Sequence, residues 1–468
     1  MTIHGSFLSG IRPGGEGVSV PRIAVIGRGF SGLMMAIALL RRVRTPFHLQ
    51  LFDPHPDVSG GQALAAARAG EILNSRVRDL SVADNDPDDF DRWLGASPDF
   101  RTAVSAAIPG FRQIFVPKST FSDYAYQRFS DALALRHDVT VRVRNETAMR
   151  IARKGGGFTV TASDGQPETH DIVILATGYG QNASADAGQP VREVCPVRAR
   201  RLQPAPHIVL LGTGVRVVDR LFQLRDGGYA GRITLLSSHG FLPQSHTRLS
   251  AEPVDLSAPM PHRLSEIVRF LRQACRTAEA EGQSWQSVMN AFRKQARSLW
   301  RSLPAEEKRR FNRHLRAIYD SHRNRLPEPH YLRLMRELSA GCTMLRKGRA
   351  GSFSSEGVRV RWPGREETDF LYASAVFDCR CAAPDLTAPP LASLIGSGLA
   401  MPDELGLGLM VNGCGGVLTD GEAIPNLYAI GPLGLGSLPD IDLVPEIVAQ
   451  TYAAASLMAR TCRSLMEV

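Results

Sequence analysis

The sequence predicts an α/β protein that contains two strand–turn–helix units of similar design. Two glycine-rich turns each follow an apolar strand and open a helix, and they begin 185 residues apart, at Gly27 and Gly212. A third apolar strand, 171–176, ends in Ala-Thr-Gly, and a fourth, 426–430, runs into another glycine turn. Strands that alternate with helical patterns are typical of parallel sheets. We therefore expect two Rossmann-like domains on one chain.

The first turn has the glycine spacing of a dinucleotide-binding site. Gly27 permits a sharp turn, Gly29 lets the backbone approach a pyrophosphate, and Gly32 lets the helix pack close to its strand. The helix N-terminus, which includes Ser31, offers N–H groups and positive charge to the phosphates. The next strand ends in Asp53, 24 residues after Gly29, where a carboxylate can accept hydrogen bonds from an adenosine ribose. These five residues are predicted to bind the cofactor.

Two later strands favour FAD as the cofactor of this first site. Strand 171–176 leads into Gly178, and strand 426–430 leads into Gly431 and Pro432. This order of pieces is typical of two-dinucleotide flavoproteins, which places Gly178, Gly431 and Pro432 near the flavin. Asp442 is predicted to cap the following helix, in which Pro445 stands early. An ordinary α/β core is the alternative interpretation.

The second turn is incomplete. Gly212 and Gly214 are present, but Val217 stands near the position of the third glycine. The next strand ends in Ser238-His239 without an acid, so the sequence does not decide between NADH and NADPH. Gly212, Gly214 and Ser238 are predicted to hold the nicotinamide coenzyme. A domain that no longer binds a coenzyme is the alternative.

Composition limits the classes of protein that fit. A chain of 468 residues exceeds one core, and 43% hydrophobic with 22% charged residues is globular. No apolar run reaches membrane-spanning length, and residues 1–20 are predicted to be a disordered extension. The seven cysteines are scattered without zinc spacing, which fits a reducing cytoplasm and predicts no metal site. The close pair Cys379 and Cys381 is interpreted as structural, with a redox role as the alternative.

The predicted FAD domain comprises 21–200 and 345–468, and an NAD(P) domain, 201–344, is inserted into it. The insertion carries a helical extension at about 255–344. Predicted helices cover 264–280, 285–302, 305–323 and 331–340.

The excess of positive over negative charge lies in and beside this extension. Residues 262–350 contain 20 Lys and Arg against 8 Asp and Glu, a net charge of +12, compared with +9 for the whole chain. A solvated basic face and a field that attracts an anionic substrate or coenzyme both explain the excess. Nucleic acid is not an expected partner, because the aromatic residues follow helical spacing.

Short motifs along the chain match those of one known family. The motifs are 71–74 (Glu-Ile-Leu-Asn), 89–94 (Asp-Phe-Asp-Arg-Trp-Leu), 115–124, the second glycine turn with Asp219, 238–243 with His246, 311–315 and 322–325. With the first fingerprint, they resemble the flavoprotein monooxygenase family that contains FAD-dependent urate hydroxylase and the nitrosuccinate-forming aspartate N-oxygenase. The resemblance runs from about Pro21 to the C-terminus.

This resemblance implies an FAD-dependent monooxygenase that uses NADH or NADPH and dioxygen. It would hydroxylate a small polar or anionic molecule, an amine or a heteroaromatic, through a C4a-hydroperoxyflavin. Because the flavin carries this chemistry, no catalytic triad is expected. Asn74 is implied near the flavin and Lys118 at the cofactor. Arg323, Arg325 and Lys118 are candidates to contact an anionic coenzyme or substrate, with ion pairs as the alternative.

The chain departs from the family at several of these positions. Lys118 stands where the family has arginine, and Ser238-His239 replaces an arginine-rich pair. Residues 378–381 replace Cys-Thr-Gly, where backbone would approach the FAD, and 436–440 lack a Trp-Glu pair. Two other hypotheses therefore stay open: a flavin dehydrogenase or oxidase that its substrate reduces directly, and a non-catalytic flavin-binding partner protein. The substrate and the oligomeric state are not predicted.

Overall fold

The first sheet has six strands, of which five are parallel. The computed structural model describes residues 20–55, 71–97, 113–180, 207–248, 251–256, 260–354, 356–380 and 383–467, so the predicted extension lies outside it except for Val20. The strands of the first sheet are β1 (Arg22–Ile26), β2 (Phe47–Phe52), β3 (Val139–Arg144), β7 (Ile172–Leu175), β15 (Gly416–Thr419) and β16 (Glu422–Ala429). Their order is β15-β16-β7-β1-β2-β3, and only the edge strand β15 runs antiparallel to its neighbour.

Helix α1 (Phe30–Arg42) packs between this sheet and the C-terminal helix. Its residues from Phe30 to Leu40 are all buried, because the sheet covers one side and other helices cover the rest. The remaining helices of this domain are α2 (Asp89–Ala96), α3 (Lys118–Ala134), α10 (Leu391–Gly396) and α11 (Val444–Met466). Fully buried Met34, Ile37 and Tyr124 belong to the resulting core.

The second sheet repeats this plan with four parallel strands. The elements are β8 (Ile208–Leu211), α4 (Val215–Asp226), β9 (Ile233–Ser237), β10 (Thr343–Lys347) and β14 (Ala375–Asp378). The strand order β10-β9-β8-β14 corresponds to β3-β2-β1-β7 of the first sheet. A three-stranded antiparallel excursion precedes β7 of the first sheet and β14 of the second.

The position of the second excursion shows that the predicted domain boundary at residue 345 is wrong. The first excursion is β4 (Ala148–Lys154), β5 (Gly157–Ala162) and β6 (Pro167–His170), and the second is β11 (Arg349–Ser354), β12 (Gly357–Arg361) and β13 (Thr368–Tyr372). After the second excursion, β14 pairs with β8 in parallel, from Ala375 opposite Ile208 to Asp378 opposite Leu211. The second sheet therefore continues to Asp378, and the chain returns to the first sheet only after that strand.

Five helices between β9 and β10 form the basic extension. They are α5 (Leu264–Ala280), α6 (Trp285–Ser302), α7 (Ala305–His314), α8 (Arg316–Arg323) and α9 (Glu328–Ser339). The bounds of α5 and α6 agree with the sequence prediction, whereas the predicted helix 305–323 divides at Leu315. Trp300, Phe311 and Tyr319 pack edge to face with ring centroids 5.4 and 5.6 Å apart, so these aromatic side chains are core contacts. In the part of the chain described, no helix combines the length and apolarity needed to cross a bilayer.

Candidate functional site

The first glycine turn lies at the carboxyl end of β1, between the ends of β2 and β7. Gly27 has φ +103°, and a Cβ atom there would lie 2.5 Å from the carbonyl oxygen of Ala176 at the end of β7. Gly32 lies directly against the carbonyl of Gly27, so a side chain would separate helix from turn. Gly29 is the N-cap of α1 and has no side chain to bond the first N–H groups. The turn therefore presents backbone N–H groups to a phosphate.

Asp53 lies beside this turn, as the sequence predicts. Its Oδ2 accepts a hydrogen bond from the Arg28 N–H at 2.8 Å, and its Oδ1 accepts one from the His55 N–H at 3.0 Å. Each carboxylate oxygen retains a further lone pair for a ribose hydroxyl.

The ends of β7 and β16 complete the first site. Gly431 has φ +76° and lies so close to Ser31 Oγ that a Cβ atom would clash with that hydroxyl. The Gly431 N–H donates to Gln450 Oε1 at 2.9 Å, and Pro432 continues into a buried 3-10 turn. Gly178, at φ +61°, has open space where its Cβ would lie. The predicted cofactor residues of the first domain thus meet at one edge of the sheet.

These residues fit an FAD. Among the described side chains, Thr177 Oγ1 and Gln450 Nε2 are buried polar atoms without a hydrogen-bond partner, and both belong to this edge. Buried polar groups are normally paired, so atoms of this kind favour a bound molecule with donors and acceptors of its own. The open turn, the uncapped helix and the ribose-facing carboxylate suit the rest of the dinucleotide.

The second glycine turn is wider than the first. Gly212 has φ +109°, and its nearest neighbours are Val217 Cγ2 and Arg380 Cγ, at 3.3 and 3.4 Å from a Cβ built there. Gly214 is the N-cap of α4 and has open space around it. Ser238 is exposed directly after β9. Gly212, Gly214 and Ser238 therefore lie at the carboxyl edge of the second sheet, the edge at which Rossmann folds bind dinucleotides.

The segment that starts at Asp378 belongs to this second site. Cys379 donates its N–H to the Leu211 carbonyl at 3.1 Å, and Arg380 forms an ion pair with Asp378. β14 pairs with β8 and places this segment beside Gly212, and its approach to the FAD stays a prediction. Cys379 is buried, and burial raises the pKa of its thiol to about 11. Cys381 lies outside the described residues.

Two of the predicted anion-binding cations have carboxylate partners at the contact between the domains. Lys118 Nζ lies 3.1 Å from Glu71 Oε2 and 2.9 Å from Asp219 Oδ2 on α4. Arg323, with a side chain only 6% exposed, bonds Asp440 and Asp442. Both roles are corrected to interdomain ion pairs, because neighbouring carboxylates already neutralise the two cations.

The same contact explains why Asp442 does not cap α11. The N-cap is Leu443, and no side chain bonds there. The Asp442 carboxylate faces Arg323 and accepts a hydrogen bond from the Tyr179 hydroxyl at 3.2 Å. Pro445 stands in the first turn, as predicted.

Arg325 differs from Arg323, although only one residue separates them. Its guanidinium donates to the neutral Gln286 Oε1 and Asn290 Oδ1, and its Nε is buried without a partner among the described residues. Burial, reinforced by the charges of Arg293 and Arg76, lowers the pKa of Arg325 to about 10.

Arg76 and His246 form hydrogen bonds between the two domains beside Arg325. Arg76 is 2% exposed, stacks on Phe115 at 4.8 Å and donates to the backbone carbonyls of Gln113 and Thr247. His246 Nε2 donates to the Asn74 carbonyl at 2.9 Å. Burial and the neighbouring arginines lower the pKa of His246 to about 3, so the ring is neutral. Arg76 and Arg293 were not predicted, since no local pattern marks them.

We call Arg76, Arg293 and Arg325 the junction arginines. Asp79 opposes their charge, but its side chain is 51% exposed to solvent, where water weakens its influence. The junction therefore carries positive charge that direct carboxylate contacts within the described residues do not neutralise. Such a site suits an anion.

Comparisons with known proteins agree with the first site. The family described as FAD-NAD(P)-binding matches residues 24–180. A comparison with curated protein sequences gave no match.

Solved structures extend the likeness to the whole fold. The ornithine N-hydroxylase of Kutzneria sp. 744 superposes with a TM-score of 0.60 at 13% identity, over 95% of this chain and 99% of that one. L-lysine 6-monooxygenase from Pseudomonas syringae gives 0.56 at 14% identity, over 96% and 100%. Bacillithiol disulfide reductase from Bacillus cereus gives 0.52 at 14% identity, over 95% and 100%.

Identities this low establish a fold and not an activity. The resemblance to the urate hydroxylase and aspartate N-oxygenase family stays a prediction, whereas the predicted Rossmann-like fold is confirmed. The fold of the chain is similar to that of these three enzymes, and residues 24–180 match the FAD-NAD(P)-binding family.

Proposed function

We propose that the protein is an FAD-dependent, NAD(P)H-using monooxygenase that hydroxylates a small amine or heteroaromatic molecule carrying a negative charge. The observation that supports this proposal is the presence of two glycine turns, each at the edge of a parallel sheet, on one chain that also carries the junction arginines between its domains. FAD, when bound, supplies the oxygen chemistry, which requires no catalytic triad from the protein.

The chain's own residues bind and orient the reactants. Gly27, Gly29 and Asp53 hold the FAD pyrophosphate and ribose, and Gly212 and Gly214 hold the coenzyme. Arg325, with Arg76 and Arg293, attracts the anionic end of the substrate. Buried guanidinium groups bind carboxylates with strong, directional hydrogen bonds.

His246 links the two domains beside the proposed anion site. Its neutral ring donates to the Asn74 carbonyl and so joins the loop after β9 to the first domain. Asn74 is thereby held at the contact between the domains, and its place near the flavin stays a prediction.

The first experiment is an anaerobic titration of the flavin-loaded protein with NADH and with NADPH. Loss of the oxidised flavin absorbance with either coenzyme, followed by oxygen-dependent reoxidation, is expected. Substrates are then sought among amino acids and heteroaromatic acids by asking which couples coenzyme oxidation to oxygen insertion. Bound flavin that neither coenzyme reduces would overturn the proposal in favour of direct reduction by the substrate.

The charge of the substrate is tested separately with matched pairs. Each amino acid that supports turnover is compared with its carboxamide, which lacks the negative charge. We expect the carboxamide to lose about tenfold or more in kcat/KM, since a charge-assisted hydrogen bond is worth about 1.5–3 kcal/mol. Arg325→Gln is expected to remove this preference, whereas Arg301→Gln, on an exposed part of α6, is expected to keep it. Equal rates for acid and carboxamide would refute the anionic substrate.

A further inference from the structure

The coenzyme's 2′-phosphate distinguishes NADPH from NADH, and the edge of the second sheet indicates where it would lie. In a Rossmann unit, the ribose of the adenosine contacts the residues that follow the second strand, which is β9 here. Strand β10 is its parallel neighbour on the outer side, so both strands end at the same edge. The residues that end β10 therefore face the same space as Ser238 and His239.

Lys347 is the last residue of β10 and pairs in register with Ser237. Paired residues on parallel strands direct their side chains to the same face of the sheet. The Ser237 hydroxyl lies 3.2 Å from the Thr213 hydroxyl of the second glycine turn, which identifies that face as the coenzyme side. A Cβ atom at Gly240 would lie 3.9 Å from Lys347 Cβ, so the base of the Lys347 side chain lies next to the loop after β9.

The neighbouring residue confirms this alternation. Arg346 precedes Lys347, and its guanidinium carbon lies 4.3 Å from the centre of the Trp362 ring in the β11–β13 excursion. Arg346 is thus engaged on the opposite face, and Lys347 is the cation of β10 that faces the coenzyme.

The loop after β9 is built without an acidic group. The N–H groups of His239 and Gly240 donate to Ser237 Oγ at 3.4 and 3.3 Å. A carboxylate in place of this hydroxyl would repel a phosphate. Lys347 is exposed and forms no ion pair with the described carboxylates. An available ammonium beside hydroxyl and imidazole donors suits a dianionic phosphate.

We propose that Lys347 binds the 2′-phosphate of NADPH, with Ser238 and His239 as hydrogen-bonding neighbours, and thereby makes NADPH the preferred coenzyme. This inference rests on the proposed function, because it requires the second site to bind a nicotinamide coenzyme. It assigns the role of the missing arginine-rich pair to a residue on the neighbouring strand.

The test is calorimetric binding of two redox-inert probes to the flavin-loaded full chain. Adenosine 2′,5′-bisphosphate carries the distinguishing phosphate, and adenosine 5′-monophosphate lacks it. We expect the bisphosphate to bind at least tenfold more tightly, and Lys347→Ala to remove about tenfold of that preference with little change for the monophosphate. Lys347→Arg is expected to restore it, and Lys154→Ala, an exposed lysine of the first domain, to leave it intact.

Three outcomes would overturn the inference: no preference in the parent protein, an equal loss for both probes in Lys347→Ala, or no binding of either probe. Circular dichroism and flavin content show whether each variant is folded. Because binding needs no turnover, this result is separable from the proposed function. If the preference depends on Lys347 but NADPH does not reduce the flavin, the inferred phosphate site stands and the proposed monooxygenase activity is rejected.

Discussion

Gly27 lies where the first glycine turn approaches the end of β7. At φ +103°, with the Ala176 carbonyl 2.5 Å from a Cβ atom, alanine meets both strain and a clash. We expect Gly27→Ala to destabilise the protein by about 1–3 kcal/mol and to reduce the FAD content after purification. The measurement is the ratio of flavin to protein absorbance, together with urea unfolding. Gly156→Ala is the control, since its Cβ would have no atom within 4 Å; equal flavin loss in both variants would contradict the argument.

His170 makes stability depend on pH in a defined direction. The ring is 3% exposed, its Nε2 donates to Gln50 at 2.7 Å, and burial lowers its pKa from 6.5 to about 4. Above pH 6.5 the ring is neutral in both states, and between pH 6.5 and 4 only the unfolded chain binds the proton. The free energy of unfolding is therefore expected to fall by about 3 kcal/mol across that window.

The check is urea unfolding at several pH values between 7 and 4. His170→Gln cannot bind this proton, so its unfolding free energy should decline less steeply than that of the parent protein. Identical slopes would show that His170 does not contribute to acid destabilisation.

At the scale of elements, helix α8 is attached to the first domain by charge. Arg323 bonds Asp440 and Asp442, and the Tyr319 hydroxyl donates to Asp440 at 2.9 Å. Arg323→Ala would leave a buried carboxylate unpaired, so we expect a loss of about 3–5 kcal/mol in unfolding free energy. Arg316→Ala removes the more exposed pair with Asp320 on the same helix and is expected to cost less than about 1 kcal/mol. Similar losses in the two variants would contradict this difference in burial.

At the scale of the whole molecule, Lys118 couples the two domains. It lies between Glu71 of the first domain and Asp219 of the second, so its removal leaves two carboxylates facing each other. We expect Lys118→Ala to be more destabilising than Asp219→Ala, and the two changes to be non-additive by about 0.5–3 kcal/mol. A double-mutant cycle in urea measures this coupling, and additive effects would mean that the pair does not stabilise the interface.

Much of the first site could be predicted from local sequence. The positions of Gly27, Gly29, Gly32 and Asp53 depend on one strand, one turn and one helix, whose residues lie close in the chain. The bounds of α5 and α6 were predictable because their apolar residues recur with helical spacing. The predicted domain boundary at residue 345 was wrong because the sequence of the short antiparallel strands β11 to β13 does not show which domain they belong to. Only the pairing of β14 with β8 assigns them to the second domain.

The sequence by itself determined the α/β class and the two glycine turns, because each depends on short-range backbone geometry. The tertiary structure decided which cation has which partner. Arg323 and Arg325 stand in one motif, yet two aspartates more than 100 residues away neutralise only the first. Lys347 likewise meets the loop after β9 through sheet order alone. Electrostatic and hydrogen-bonding partners are set by proximity in space, and no local pattern encodes proximity between residues so far apart.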